Sequence, residues 1–127
     1  MSDPLFPPLR VAELTVDVDY FARQSVITVR FAGNADLKAT DAVRQLIGQV
    51  HPEAQRLAVT SVRVDFRELE FMNSSCLKAF VIWLQALQED ESGHRYRIVF
   101  QADAARYWQE RSLSALSCLA PEWVDVE

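Results

Sequence analysis

Apolar and polar residues alternate along two segments near the start of the chain. From Ala12 to Tyr20 every second residue is apolar, and the residues between them are acidic or polar. From Ser25 to Ala32 the alternation returns, with Ile27, Val29 and Phe31 on one side. Alternation with a period of two is typical of strands with one buried face. Because only a short polar link separates the two segments, the pattern predicts an antiparallel hairpin.

Helical and strand patterns follow each other along the rest of the chain. Gly33-Asn34 is expected to end the second strand, and Thr40 or Asp41 to cap a helix that Pro52 stops. Further strands are predicted at Val62 to Phe66, Arg95 to Gln101 and, at an edge, Glu122 to Val126. Further helices are predicted at Ser74 to Gln88, Ala104 to Glu110 (capped by Asp103) and Ser114 to Cys118, with a polar turn at Glu89 to Gly93.

This order of elements predicts one α/β domain. Strands separated by helices pair in parallel through right-handed crossovers, whereas the first two strands pair antiparallel. The expected architecture is a mixed sheet of four to five strands with helices packed mainly on one face. Residues 11–127 are predicted to form the domain. Residues 1–10, which include three prolines, are predicted to be a flexible lead-in.

Composition narrows the function. Half of the 127 residues are hydrophobic, 24% are charged, and the net charge is −5 with the acidic residues scattered. A nucleic-acid ligand requires a basic face, so the charge favours protein partners.

The longest apolar run, Ala79 to Leu84, is too short to span a bilayer. Cys76 and Cys118 lack metal-ligand spacing, and the N-terminus lacks a signal-peptide pattern. We therefore expect reduced cysteines, a cytoplasmic location, no membrane association, no metal and no cofactor.

The start of the predicted helix at Ser74 carries the candidate chemistry. Two hydroxyls, Ser74 and Ser75, fall in its first turn, where backbone N–H groups lack intrahelical partners and the helix dipole favours negative charge. Asn73 is placed to cap the helix. The expected core stripe comprises Leu77, Phe80, Val81, Leu84 and Leu87, with Trp83 toward the flank. An exposed hydroxyl on a buried helix is a suitable place to add and remove a phosphate.

Three segments resemble the STAS domain, the fold of the bacterial anti-sigma factor antagonists. VITVRFAGNADLKATDAVRQLI (Val26 to Ile47) is similar to the second strand, the Gly-x-x-Asp turn at Gly33 and Asp36, and the first helix of that family. VRVDFRELEFMNSSCLKAF (Val62 to Phe80) resembles the segment that carries its Asp-Ser-[Ser or Thr]-Gly site. RYRIVFQADAARYWQERSLSAL (Arg95 to Leu116) is similar to its later strand and helix. The resemblance covers nearly the whole chain.

The resemblance implies a non-enzymatic regulator of bacterial signal transduction and transcription. In the members of this family that are phosphorylated, the modified hydroxyl immediately follows the acidic residue of the motif. The resemblance therefore places the modification on Ser74, with Ser75 as second choice. The partners implied are a serine kinase that also acts as an anti-sigma factor and a serine phosphatase that resets the switch. Asn73 stands where the motif has aspartate, and Cys76 where it has glycine. A variant reading Asn-[Ser or Thr]-Ser-Ser-x-Lys matches this sequence better, apart from Cys76.

Partner contacts are expected around the same helix start. Asp36 is a turn residue by sequence and a kinase contact by resemblance, and Glu68 and Glu70 would suit a partner with basic residues. The full expected set is Asp36, Glu70, Asn73, Ser75, Cys76 and Lys78.

Two other hypotheses stay open at this point. In one, the serines only begin a helix and the domain is a non-phosphorylated interaction or ligand-sensing module. In the other, Cys76 is a nucleophile with a pKa lowered by the helix start, although His51 and His94 are unconnected to it by any motif. A small buried cysteine is the simpler interpretation.

Overall fold

The computed structural model describes residues 2–90 and 93–127, so the predicted turn at Glu89 to Gly93 lies partly outside the described residues. The strands are β1 (Asp3–Pro4), β2 (Leu9–Val11), β3 (Leu14–Phe21), β4 (Val26–Ala35), β5 (Ser61–Met72), β6 (Arg97–Gln101) and β7 (Val124–Val126). The helices are α1 (Thr40–Arg56), α2 (Ser74–Glu89) and α3 (Tyr107–Leu119), and one 3₁₀ turn, Leu37–Ala39, precedes α1.

The strands form one mixed sheet. Its order is β1-β3-β4-β5-β6-β7, and β2 pairs with β3 beside that path. The β3–β4 hairpin is antiparallel, whereas β4, β5, β6 and β7 are mutually parallel along the sheet. The predicted α/β architecture is therefore confirmed, with seven strands among the described residues rather than four to five. The additional strand β1 lies in the segment expected to be a flexible lead-in, β2 begins in that segment and ends at Val11, and both pair with β3.

The hydrophobic core lies between one face of the sheet and the three helices. Alternate residues of the central strands are buried there, among them Ile27, Val29, Phe31, Val62, Val64, Phe66, Ile98 and Phe100. The helices add their own buried stripes to the same cluster. The opposite sheet face carries charged side chains joined by ion pairs such as Arg30–Asp19 and Arg97–Asp125. One face of the sheet is thus covered by helices and the other is polar, as alternation with a period of two requires.

Strand β4 does not end at Gly33-Asn34, and the prediction there was wrong. The strand runs on to Ala35, and Gly33 adopts a φ of 97° within it. A Cβ at this position would overlap the carbonyl oxygen of Glu13, and the N–H of Asn34 donates to the same oxygen at 3.1 Å. Glycine is required here because only glycine accepts both the backbone angle and the close approach. Strand β3 begins later than predicted, at Leu14, because Ala12 has a φ of 53°.

Strand β5 is much longer than the segment Val62 to Phe66 that was predicted. It extends to Met72, and its register against β4 shifts twice. Arg30 pairs with Asp65 whereas Ala32 pairs with Glu68, so β5 contains one extra residue in between. Such bulges break the simple alternation of faces, which explains why the sequence pattern appeared to end early.

The helices also differ from the predicted bounds. Pro52 lies inside α1, which continues to Arg56. Neither Thr40 nor Asp41 caps it, since the chain enters through the 3₁₀ turn, whose cap is Asp36. The two predicted C-terminal helices are one helix, α3, and Asp103 accepts a hydrogen bond from the N–H of Ala105 just before it. A proline costs a helix one hydrogen bond, and packing of the apolar stripe of α1 outweighs that loss.

Candidate functional site

The site is built on the junction between β5 and α2. Asn73 caps α2 with extended backbone angles (φ −77°, ψ 166°), and its Oδ1 accepts from the N–H of Cys76 at 2.9 Å. The predicted cap is therefore confirmed. Ser74 is the first residue of α2 and is exposed, whereas Ser75 is half-buried. Ser74 is therefore accessible from solvent in the folded domain.

The junction is anchored to the preceding parallel strand. The N–H of Asn73 donates to the carbonyl of Ala35, the last residue of β4, at 2.9 Å. The thiol of Cys76 lies 3.6 Å from the carbonyl oxygen of Asp36 and 3.6 Å from the hydroxyl of Thr40. These contacts tie the first turn of α2 to the 3₁₀ turn, so the position of Ser74 is determined by the sheet and not by a free loop.

The structure corrects the expected role of Cys76. Its side chain is completely buried, so it does not belong to the contact surface that was predicted to include it. Burial raises the pKa of the Cys76 thiol. The hydrogen bond with Thr40 opposes this increase, and the nearby Asp36 makes a smaller contribution that also raises the pKa. A buried thiol with a raised pKa is the opposite of a reactive cysteine. The hypothesis of a Cys76 nucleophile does not fit this environment.

The other predicted contact residues reach the surface to different degrees. Glu70 and Lys78 are exposed, and Asp36 is half-buried with Oδ1 accepting from the N–H of Lys38 at 2.9 Å. Glu70 lies near the amide of Asn34, with 3.5 Å between Oε2 and Nδ2. Asp36 therefore caps the 3₁₀ turn that holds the Cys76 thiol, and the half-buried Asn73 caps α2.

Two apolar side chains at this edge were missed by the sequence reasoning. Leu37, in the 3₁₀ turn, is 73% exposed, and Phe71, near the end of β5, is 47% exposed. Phe71 pairs with Asn34 and Met72 with Ala35, so both strands end beside the start of α2. Large apolar side chains that are exposed to solvent close to a site are typical of an interaction surface. The exposure of Phe71 could not be predicted from the alternation of apolar and polar residues, because the register shifts of β5 interrupt that alternation.

In α2 the core stripe differs in part from the predicted one. Phe80, Leu84 and Leu87 are buried as expected, whereas Leu77 and Val81 are only half-buried. Trp83, expected toward the helix flank with a core or edge packing role, is buried in the core.

The electrostatics of the helix start favour an anion. The first turn of α2, all of which lies within the described residues, contains no acidic residue. The N–H groups of Ser74 and Ser75 point out of the helix end without an intrahelical acceptor. The helix dipole places partial positive charge there, and the exposed Lys78 lies one turn further along. These two features favour a negative charge at Ser74, and the carboxylate of Asp36, which acts on the Cys76 thiol in the same turn, opposes it.

Comparisons with solved structures show that the chain has the STAS-like fold of anti-sigma factor antagonists. An anti-sigma factor antagonist from Mycobacterium paratuberculosis superposes with a TM-score of 0.62 at 19% identity, covering 88% of this chain and 85% of the other. The antagonist SpoIIAA in its unphosphorylated form superposes with a TM-score of 0.58 at 20% identity, covering 88% and 87%. The Bacillus cell-fate determinant SpoIIAA in its phosphorylated form gives 0.57 at 20% identity, covering 88% and 90%.

These likenesses establish the fold that the sequence resemblance implied. Neither the family models nor the curated sequences searched contain a match to this chain. Among the described residues, no helix has the length and apolar character needed to cross a membrane. The same residues contain no cluster of three or more histidines, cysteines and carboxylates arranged for a metal ion.

Replacing the cap is expected to weaken the helix start without unfolding the domain. Asn73→Ala removes the acceptor for the N–H of Cys76 and is expected to lower the free energy of unfolding by about 1 kcal/mol. Urea unfolding followed by circular dichroism measures the loss. Asn73→Asp keeps an acceptor and serves as the control, with stability near that of the wild type. An unchanged midpoint in Asn73→Ala would contradict the role of this hydrogen bond.

Proposed function

We propose that this chain is a non-catalytic regulatory protein, similar to anti-sigma factor antagonists, that binds a serine kinase or anti-sigma partner and is switched by phosphorylation of Ser74. The observation that carries the proposal is the exposed residue Ser74 at a capped helix start that is anchored to the sheet. Two of the superposed structures are anti-sigma factor antagonists, and SpoIIAA was also solved in a phosphorylated form.

The partner is proposed to dock on the Ser74 surface. We define this surface as the described exposed and half-buried residues around the start of α2, namely Asp36, Leu37, Glu70, Phe71, Asn73, Ser74, Ser75 and Lys78. Its exposed apolar groups, Leu37 and Phe71, supply area to be buried, and its charged groups form a polar rim. The exposed acids Glu68 and Glu70 suit a partner with basic residues around its nucleotide site.

Phosphoryl transfer would use the catalytic groups of the kinase. The Ser74 oxygen attacks the γ-phosphorus of ATP, the bond to the β–γ bridging oxygen breaks, and ADP leaves. The serine proton passes to a base of the kinase, whose Mg²⁺ neutralises the phosphates. A serine phosphatase would reverse the modification by hydrolysis, with water as the acceptor of the phosphoryl group. The chain itself contributes only an accessible, positioned hydroxyl.

The modified domain is expected to stay folded. A phosphate adds nearly two negative charges, which would be repelled by an aspartate at the cap. Asn73 makes the same capping hydrogen bond without a charge, so that repulsion is absent. The dipole of α2 offers up to about 1 kcal/mol of favourable interaction at an exposed site. The effect of phosphorylation therefore falls on the partner and not on the fold.

Phosphotransfer from the cognate kinase tests this proposal directly. Incubation of the wild-type protein with ATP and the kinase is expected to add a single phosphate, which intact-mass and peptide mass spectrometry would locate on Ser74. Ser74→Ala is expected to abolish it, whereas the neighbouring change Ser75→Ala is expected to leave it in place. The proposed switch would be contradicted if the wild type gained no phosphate, or if Ser74→Ala were phosphorylated to the same extent as the wild type.

The alternative function is a non-phosphorylated interaction or ligand-sensing module of the same fold. A partner that is retained regardless of changes at Ser74 would favour this alternative. One structural feature also gives it support, namely a groove between α1 and α2 that does not include Ser74.

A further inference from the structure

A groove of about 290 Å³ separates the outer parts of α1 and α2. Its volume is close to the lower end of typical small-molecule sites, which are concave, mostly apolar and marked by a few polar groups. The residues that line it are Arg44, Ile47, Gly48, His51, Pro52, Ala79, Ile82, Trp83 and Ala86.

The groove exists because small residues face each other across the two helices. Gly48 on α1 and both Ala79 and Ala86 on α2 contribute almost no side-chain volume. A Cβ at Gly48 would meet no atom of the described residues within 4 Å, so no close contact there requires glycine. Glycine inside a helix is less favourable than alanine by about 1 kcal/mol. Gly48 therefore leaves open a space that an ordinary helix former would begin to fill.

The floor of the groove is held by a hydrogen-bonded chain. The indole N–H of the buried Trp83 donates to the hydroxyl of Tyr96 at 2.7 Å, and that hydroxyl lies 2.7 Å from Nδ1 of His51. An indole only donates, so the Tyr96 proton is free to point at His51. Burial raises the pKa of Tyr96, which keeps the phenol protonated. These bonds fix the orientation of Trp83 and preorganise the floor.

The charge of the lining is positive. Burial lowers the pKa of His51, against an opposing effect of Asp90, whose Oδ2 lies 3.8 Å from Nε2 of His51. Arg44 is exposed and carries the only full charge among the lining residues. Among the described residues, no carboxylate lies within ion-pair distance of Arg44. The lining is thus apolar along its length with one unpaired cation.

We propose that this groove binds a small amphipathic anion, with an aromatic or aliphatic body against Gly48, Ile82 and Trp83 and a carboxylate facing Arg44. Charge complementarity selects the anionic group, and the apolar lining selects the body. The site is separate from Ser74, so the inference goes beyond the proposed phosphorylation switch and does not depend on it.

Titration with naphthalene-2-carboxylate, followed by two-dimensional ¹H–¹⁵N NMR of the full chain, tests the site. The chain has three tryptophans, and only Trp83 lines the groove. Saturable shifts are expected for the Trp83 indole N–H and the Gly48 and Ala86 amides, with the indole signals of Trp108 and Trp123 unmoved. The neutral probe naphthalene-2-carboxamide is expected to bind about fivefold more weakly, because it lacks the charge that faces Arg44.

Variants separate the two parts of the site. Gly48→Leu fills the open space and is expected to abolish the shifts, whereas Gln45→Leu adds the same side chain to α1 at an exposed position outside the lining and is expected to leave them unchanged. Arg44→Gln is expected to weaken binding of naphthalene-2-carboxylate about fivefold and to leave binding of naphthalene-2-carboxamide unchanged. The fold of each variant is checked by the dispersion of the same spectra.

Three results would overturn the inference. The first is the absence of any saturable shift at Trp83. The second is equal binding by the wild type and a folded Gly48→Leu, which would place the probe elsewhere. The third is equal affinity for the acid and the amide in the wild type, which would remove the role of Arg44 and with it the selection of an anion.

Discussion

Ser74→Asp is expected to weaken binding of the protein partner by about a hundredfold. The aspartate places a charge where the Ser74 surface would be dehydrated on docking, and burying a charge without a partner costs several kcal/mol. A loss of about 2.8 kcal/mol corresponds to a hundredfold in affinity. Isothermal titration calorimetry with the kinase or anti-sigma partner, compared between Ser74→Asp and the wild type, measures the effect.

A charge added elsewhere provides the matched control for this prediction. Ser114 is an exposed serine on α3, outside the Ser74 surface. Ser114→Asp is expected to retain wild-type affinity, and both variants are expected to unfold at the wild-type urea midpoint within error. Equal affinities for Ser74→Asp and Ser114→Asp would count against docking at Ser74. A lowered urea midpoint in Ser74→Asp would instead show that the charge damages the domain.

Gln109→Leu is expected to lower the free energy of unfolding by about 3 kcal/mol, because it removes two buried hydrogen bonds and one part-buried hydrogen bond at once. The Nε2 of Gln109 donates to the carbonyls of Phe66 and Leu69 at 2.6 and 2.9 Å, and its Oε1 accepts from the N–H of Asp103 at 2.8 Å. The side chain is fully buried. Leucine has a similar volume but satisfies none of these groups.

An exposed glutamine with a comparable bond provides the control for the buried one. Gln88 donates through Nε2 to the carbonyl of Leu119 at 2.9 Å at the surface. Gln88→Leu is expected to change stability by no more than about 0.5 kcal/mol, since water replaces the lost partner. Urea unfolding of both variants tests the difference. A similar small loss in Gln109→Leu would mean that the buried groups find other partners.

Gln109 matters to the candidate site through β5. Strand β6 pairs with β5 only as far as Asp65, which lies opposite Gln101. Beyond that point, Gln109 of α3 donates to β5 carbonyls in the manner of a neighbouring strand. This is the part of β5 that leads to the cap at Asn73. Gln109 therefore supports the segment that positions Ser74, although it lies in a different helix.

Local sequence patterns were sufficient to predict the strands from β3 onward in outline, the presence of the helices between them, and the start of the site. Alternation in β3 and β4, the apolar stripe of α1 and the cap residue at Asn73 each report on neighbours within a few positions. Such signals depend on backbone geometry and on one local hydrogen bond. They also correctly indicated the order of elements and hence the mixed α/β fold. Ser74 is exposed as expected, whereas Ser75 in the same turn is half-buried.

Features that depend on contacts between distant segments could not be obtained in this way. The bulges of β5 change which residues of the strand face solvent. Phe71 is therefore exposed, which the simple alternation of apolar and polar residues did not predict. The complete burial of Cys76 results from Asp36 and Thr40, about 40 residues earlier in the chain. Pro52 was expected to end the helix, but α1 continues to Arg56 because the packing of its apolar stripe outweighs the cost of the proline.

The sequence by itself determined the approximate positions of β3 to β7 and of the helices between them, and where a capped helix begins with a serine at its tip. Tertiary structure alone decided that Gln109 donates to the carbonyls of β5, that Leu37 and Phe71 are exposed, and that Gly48 and Trp83 line one groove. The physical reason is the range of the interactions. Periodicity and capping act within one or two turns, whereas burial and hydrogen-bond satisfaction depend on groups that only the folded chain brings together.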